Sequence, residues 1–118
     1  MNDIVFTAQR INKLTLKNRV IMTAMHLGYE FEKEKQFYSQ CAEGGVAAIT
    51  TVMGVIPFGA YSNMLCASEE TGKKLLELSK TIHGFDSKLF VQLFCAGRNG
   101  RKGIMAEPEL EPLAPSPI

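Results

Sequence analysis

Gln92 is the residue whose type and position most demand a chemical account. It stands in "KLFVQLF" (88–94), among Phe90, Val91, Leu93 and Phe94. A buried amide must be hydrogen-bonded or it costs about 1–3 kcal/mol. Its side chain offers one acceptor and two donors, which matches the alternating carbonyl and N–H edge of a pyrimidine-like ring. Bonding to neighbouring backbone would satisfy it equally well, so both readings stand. The run then breaks into "CAGRNGRKG", where Arg98, Arg101, Lys102 and glycine N–H groups could hold an anion. No GxxxxGK[ST] pattern is present, and a solvated loop is the plainer reading. A second candidate is "MTAMHLGY" (22–29). Small Thr23 and Ala24 would let a flat ligand approach the backbone, with Met25 and His26 at its edge. The plainer alternative packs Met25 into a core and leaves His26 in a surface loop. Cys95 has no base beside it in sequence that would lower its pKa, so it reads as structural and not as a nucleophile.

Three apolar runs rich in β-branched residues carry these candidates: "RVIMTAM" (19–25), "VAAITTV" (46–52) and "KLFVQLF" (88–94). Between the first two, "EFEKEKQFYSQCAEGG" puts Phe37, Tyr38, Cys41 and Ala42 on one helical face, and Gly44 and Gly45 stop it. Between the second and third, Ser68 can cap "SEETGKKLLELSKTIHG". Glu69 and Glu70 suit its first turn, and Leu75, Leu78 and Ile82 form an apolar stripe that ends at Gly84. Strand, helix, strand, helix, strand, with strands apolar almost throughout, predicts a parallel α/β sheet covered on at least one face. In such folds ligands are held at the carboxyl ends of the strands, which is where Thr23 to His26 and the loops from 53 and 95 begin. The tail "AEPELEPLAPSPI" has four prolines and reads as extended and irregular, so the chain is expected to be one piece, 1–118, of a larger architecture.

Composition narrows the partners. A net charge of +1 and a pI near 7.7 give no reason to expect nucleic acid or an anionic membrane, and 46% hydrophobic with 21% charged residues fits a globular domain. Cys41, Cys66 and Cys95 are widely spaced and odd in number, and neither His26 nor His83 pairs with them at ligand spacing. That argues against a disulfide framework or a metal site and fits a reducing cytoplasm. No signal peptide is visible at the N-terminus. Residues 44–68 carry no charge, but Gly54, Pro57, Gly59, Ser62 and Asn63 make a buried strand and loop a better account than a membrane span.

Taken in order, "INKLTLKNRVIMTAMHLGY", "FYSQCAEGGVAAITT" and "LFVQLFCAGR…LAPSPI" resemble the N-terminal part of the Old Yellow Enzyme (NADH:flavin oxidoreductase) family. Within it the likeness is greatest to the 2,4-dienoyl-CoA reductase-like branch, where "LKNR", "MH.G" and "QL..AGR…APS" recur. The resemblance spans residues 11 to 118 and implies about three βα units of a (β/α)8 TIM barrel. It implies FMN at the carboxyl ends of the strands. NAD(P)H would be the reductant, and a small-molecule alkene such as an enone or enoyl thioester the hydride acceptor. By the same likeness Gln92 bonds the flavin's pyrimidine edge and Thr23, Ala24 and Met25 line its ring system. His26 contacts its polar edge, and Met53 falls where a small residue usually meets the flavin. Cys95 stands where the family commonly has histidine, and Ala24 where many members have proline. The catalytic residues are unknown here and are expected in later strands of the barrel. A 4Fe-4S cluster and FAD would belong only to a longer form, as would a homo-oligomer. The alternative is a non-catalytic fragment or a small α/β anion-binding module built on the basic glycine loop.

Overall fold

Asparagine tolerates left-handed backbone better than most residues, and Asn12, at φ +52°, turns the chain back on itself near the N-terminus. A computed structural model describes residues 3–55 and 60–99. Around Asn12, β1 (Gln9–Ile11) and β2 (Leu14–Leu16) pair antiparallel, a hairpin that the apolar runs do not announce. After it come β3 (Ile21–Met22), α1 (Phe31–Glu43), β4 (Ala48–Gly54), β5 (Leu65–Cys66), α2 (Glu69–His83) and β6 (Lys88–Phe94).

β4 is the centre of a four-stranded parallel sheet. β6 pairs with it along its whole length, from Ala48 with Lys88 to Gly54 with Phe94. On the opposite edge β3 pairs only at Ala48 and Ile49, and β5 takes up the same edge at Met53 and Gly54. The first expected strand is therefore much shorter than 19–25, while the third occupies 88–94 as its apolar run suggests.

Register decides which side chains share a face, because side chains alternate along a strand. Ile49 and Thr51 look toward the helices. Ile49 packs with Tyr38 and Ala42 of α1 and with Leu78 and Ile82 of α2, and Met22 and Leu89 join from the flanking strands. Both helices keep the apolar faces their periodicity predicts. Ser68 caps α2, its Oγ accepting from the Thr71 N–H at 3.1 Å, and Glu69 and Glu70 sit in the first turn. α1 lacks a side-chain cap at its start. It ends at Gly44, and Gly45, at φ +99°, makes the turn that a side chain would resist. The opposite face of the sheet carries Ala48, Val52 and Gly54 with their partners Lys88, Gln92 and Phe94.

The amino ends of the strands are closed. Leu16 of β2 is 1% exposed and packs on Ala47 and Ala48. The Lys17 ammonium donates to the Phe85 carbonyl at 2.6 Å, and the Asn18 amide donates to the Gly45 carbonyl at 2.7 Å. Asn18 Oδ1 also accepts from the Val20 N–H, and the Ser87 hydroxyl donates to the Val46 carbonyl. The "LKNR" stretch is thus a seam under the sheet. Among the described residues no helix is long and apolar enough to cross a membrane.

Candidate functional site

The carboxyl ends of β3, β4 and β6 face the same way in a parallel sheet, so the segments that leave them meet. Thr23, Met25 and His26, just beyond β3, are exposed, and Ala24 between them is half-buried. Gln92, near the end of β6, shares its face with Val52 and Phe94, and its amide is exposed with no protein hydrogen bond among the described residues. An amide held on a strand of a packed sheet, pointing away from the helices and free of protein partners, is available to a ligand. The alternative of bonding to neighbouring backbone is not what the structure contains.

Alternation separates Met53 from this group. β4 runs to Gly54, so Met53 lies on the face of Thr51 and Leu93, and the Gln92 face carries Val52 and Gly54 instead. Gly54 is needed for packing: a Cβ there would lie 2.5 Å from the Ala60 Cβ. That close approach seats the segment after β4 on the strand, with Val52, Ala60 and Met64 in one buried cluster joined by Tyr61, Cys66 and Phe94.

Nothing in the residues around Tyr61 announces its place in the site. Its ring stacks on His26 at 5.6 Å between centroids, 22° from parallel, and meets Phe94 at 5.4 Å. Asn63 reinforces the join, its amide donating to the Gly28 carbonyl at 3.3 Å. Three strand ends are thereby tied together by an aromatic row. No periodicity could reveal it, because the three residues are 33 or more positions apart and lie on separate segments.

Behind β4, on its helix side, is a polar group the sequence reading also missed. Glu34 of α1 is buried and accepts a hydrogen bond from the Thr51 hydroxyl at 3.3 Å. Burial pushes its carboxyl above the ordinary value, offset in part by the nearby Tyr38 and Thr51 hydroxyls and by the charge of His26. Burial, with the Glu34 carboxylate adding to it, also raises Tyr38 to about 12. The Tyr38 hydroxyl is close enough to feel both neighbours, yet makes no hydrogen bond of acceptable geometry among the described residues.

Cys95 is exposed at the rim, and none of Cys41, Cys66 and Cys95 is in a disulfide. Arg98 is exposed in a 3₁₀ turn at Gly97–Asn99, while Arg101 and Lys102 of the expected anion loop lie outside the described residues. No cluster of three metal-ligating side chains occurs among the described residues. A surface groove along α1, lined by Glu32, Lys33, Gln36 and Gln40, opens on the helix side of the fold, away from the strand ends.

Residues 5–117 match the sequence pattern of the NADH:flavin oxidoreductase / NADH oxidase family. The chain belongs to that family. Two curated relatives are a metal reductase of Desulforamulus reducens, 33% identical over 98% of the chain, and an NADH oxidase of Thermoanaerobacter brockii, 30% identical over 97%. The chain spans 18% and 19% of their lengths. Among solved structures, morphinone reductase in complex with tetrahydroNAD matches 99% of the chain and 34% of its own length, with a TM-score of 0.81 at 21% identity. The Old Yellow Enzyme homologue from Zymomonas mobilis matches 95% of the chain at a TM-score of 0.77. In that family's fold this span is the N-terminal part of the TIM barrel, here β3, β4 and β6 with α1 and α2 between them, and the face bearing Gln92 is turned away from both helices, which in such a barrel is the interior.

Proposed function

We propose that this chain is the flavin-ring-binding part of an FMN-dependent NAD(P)H oxidoreductase that reduces a small molecule with an activated C=C, such as an enone or enoyl thioester. The observation that carries the reading is Gln92, an exposed amide on the interior face, at the carboxyl end of a packed parallel sheet, with no protein hydrogen bond among the described residues. Its acceptor and two donors suit the carbonyl and N–H pattern of a flavin's pyrimidine edge. Thr23 and Ala24 are small enough for the ring system to lie against the backbone, Met25 offers an apolar flank, and His26 is within reach of a polar edge. When bound, FMN supplies the hydride chemistry. The protein residues named here bind the ring, fix its orientation and exclude water from one side of it. They offer no cradle for the phosphate, which in such barrels belongs to the loops after strands 7 and 8.

Family membership supports the reading. The same span makes up about a fifth of the curated relatives but a third of morphinone reductase, so those relatives are nearly twice as long. That length favours the longer branch of the family, with room for an iron–sulfur cluster and FAD beyond the barrel. Val91 and Leu93, 39% and 63% exposed on the helix-side face of β6, are suited to cover by further elements of such a protein. Cysteines outside any disulfide fit a reducing cytoplasm.

The test is a flavin titration of the full protein. Wild type should purify yellow or take up FMN stoichiometrically. Gln92→Ala should bind FMN about 2–10-fold more weakly, the factor expected for one hydrogen bond, with its melting temperature unchanged. Equal affinity and an equal flavin midpoint potential in the variant would remove Gln92 from the role, and a wild type that takes up no flavin would remove the function.

A further inference from the structure

We propose that Tyr61 is the positioning residue for His26, fixing the plane of its imidazole at the barrel mouth through the row His26–Tyr61–Phe94. The flavin-directed consequence of this rests on the reading in the preceding subsection; the fixing of His26 does not.

An exposed histidine on a segment leaving a strand has two free side-chain torsions, and a ligand that needs one orientation must bear the entropy of selecting it. His26 is exposed and makes no hydrogen bond to another described residue. The Glu34 carboxylate acts on its charge without a hydrogen bond, and the ring stack is the directional contact His26 makes among the described residues. The Tyr61 ring lies 22° from parallel to it at 5.6 Å, an offset arrangement within the favourable range for ring pairs. Tyr61 is itself held. Ala60 seats on Gly54, where no side chain could fit, and Phe94 packs against the tyrosine ring at 5.4 Å between centroids. Asn63, at φ +61°, turns the segment and binds the Gly28 carbonyl, so the strand-end segments cannot slide apart independently. A ring anchored to β4 and β6 thus sets the direction of a ring hung from β3. Phe94 is on the face of Gln92 and only two residues from it, so the orientation is imposed beside the amide that would grip the ligand.

Three variants of the full protein test this: Tyr61→Leu, Tyr61→Phe and His26→Ala. Without flavin, the His26 ring-proton resonances report the stack through the neighbouring ring current. They should move toward exposed-histidine positions in Tyr61→Leu and stay near wild type in Tyr61→Phe. With flavin, Tyr61→Leu should weaken FMN binding about two- to tenfold, the range an aromatic pair is worth. That loss should vanish when the substitution is made in the His26→Ala background, and Tyr61→Phe should restore wild-type affinity. Unmoved His26 resonances in Tyr61→Leu would overturn the proposal. So would a loss of FMN affinity that is just as large without His26, since Tyr61 would then act directly or through the fold. Should Tyr61→Leu not fold, His26→Ala reads the same contact from the other ring, and unchanged Tyr61 resonances would overturn it. A wild type that takes up no FMN would sink the preceding functional reading, while the ring resonances would still decide whether Tyr61 holds His26.

Discussion

The two ends of the parallel sheet are built on opposite principles. At the amino ends side chains are covered or bonded from one segment to the next: Leu16 and Ser87 are 1% and 0% exposed, and Lys17, Asn18 and Ser87 each donate to a backbone carbonyl of another segment. At the carboxyl ends Thr23, Met25, His26, Gln92 and Cys95 stand exposed, and the Gln92 amide has no protein partner among the described residues. The division teaches how to read the motifs. "LKNR" and "QL..AGR" both lie in the span that matches the family, yet the first stitches loops beneath the sheet and the second leaves the Gln92 amide and Arg98 exposed at the open end. Sequence likeness alone does not separate a residue that holds the barrel from one that uses it; the end of the strand does.

The difference can be broken most forcefully at the closed end. Leu16→Ala should cost about 2–5 kcal/mol, since a fully buried leucine leaves a cavity that the hairpin cannot collapse to fill. Denaturant melts should show that loss while the folded fraction keeps its flavin affinity. A variant with normal stability but weakened flavin would show that the hairpin serves the site after all.

A smaller effect is expected between the ends, at Glu34. Burial raises its folded-state pKa above the ordinary carboxyl value of 4.5, so the native state holds a proton that the unfolded chain gives up more readily. Stability is then full below about pH 4.5 and falls as pH rises through the window up to the folded value. Glu34→Gln, which keeps an acceptor for Thr51, should flatten that slope and match or exceed wild-type stability at pH 7. Thermal melts across pH 4 to 8 measure it, and a variant less stable than wild type at pH 7 but equal at pH 4 would mean the carboxylate is favoured in the fold.

The smallest effect belongs at the open rim. Cys95→Ser should leave stability within about 0.5 kcal/mol, as is usual for exposed positions, with flavin content and turnover unchanged. Loss of turnover in a variant that still holds FMN would give this thiol a chemical role.

Local chemistry made much of this legible in the chain itself. Both helices follow from their apolar spacing and from Ser68, Gly44 and Gly84, and β6 from its largely apolar run. The order of elements implied the parallel sheet, and Gln92 declared itself as an amide out of place in such a run. What required the tertiary structure depends on register and on distance along the chain. The β1–β2 hairpin is too short for period two to stand out, and Asn12 is followed by lysine where glycine would have marked the turn. Extending β4 by two residues fixed the parity that puts Gly54, and not Met53, on the face of Gln92. Glu34 reads as one more charge in "EFEKEK" until packing sets it against Thr51. His26, Tyr61 and Phe94 are separated by dozens of residues, and only the parallel arrangement of three strands, which brings their carboxyl ends to one side, makes them neighbours.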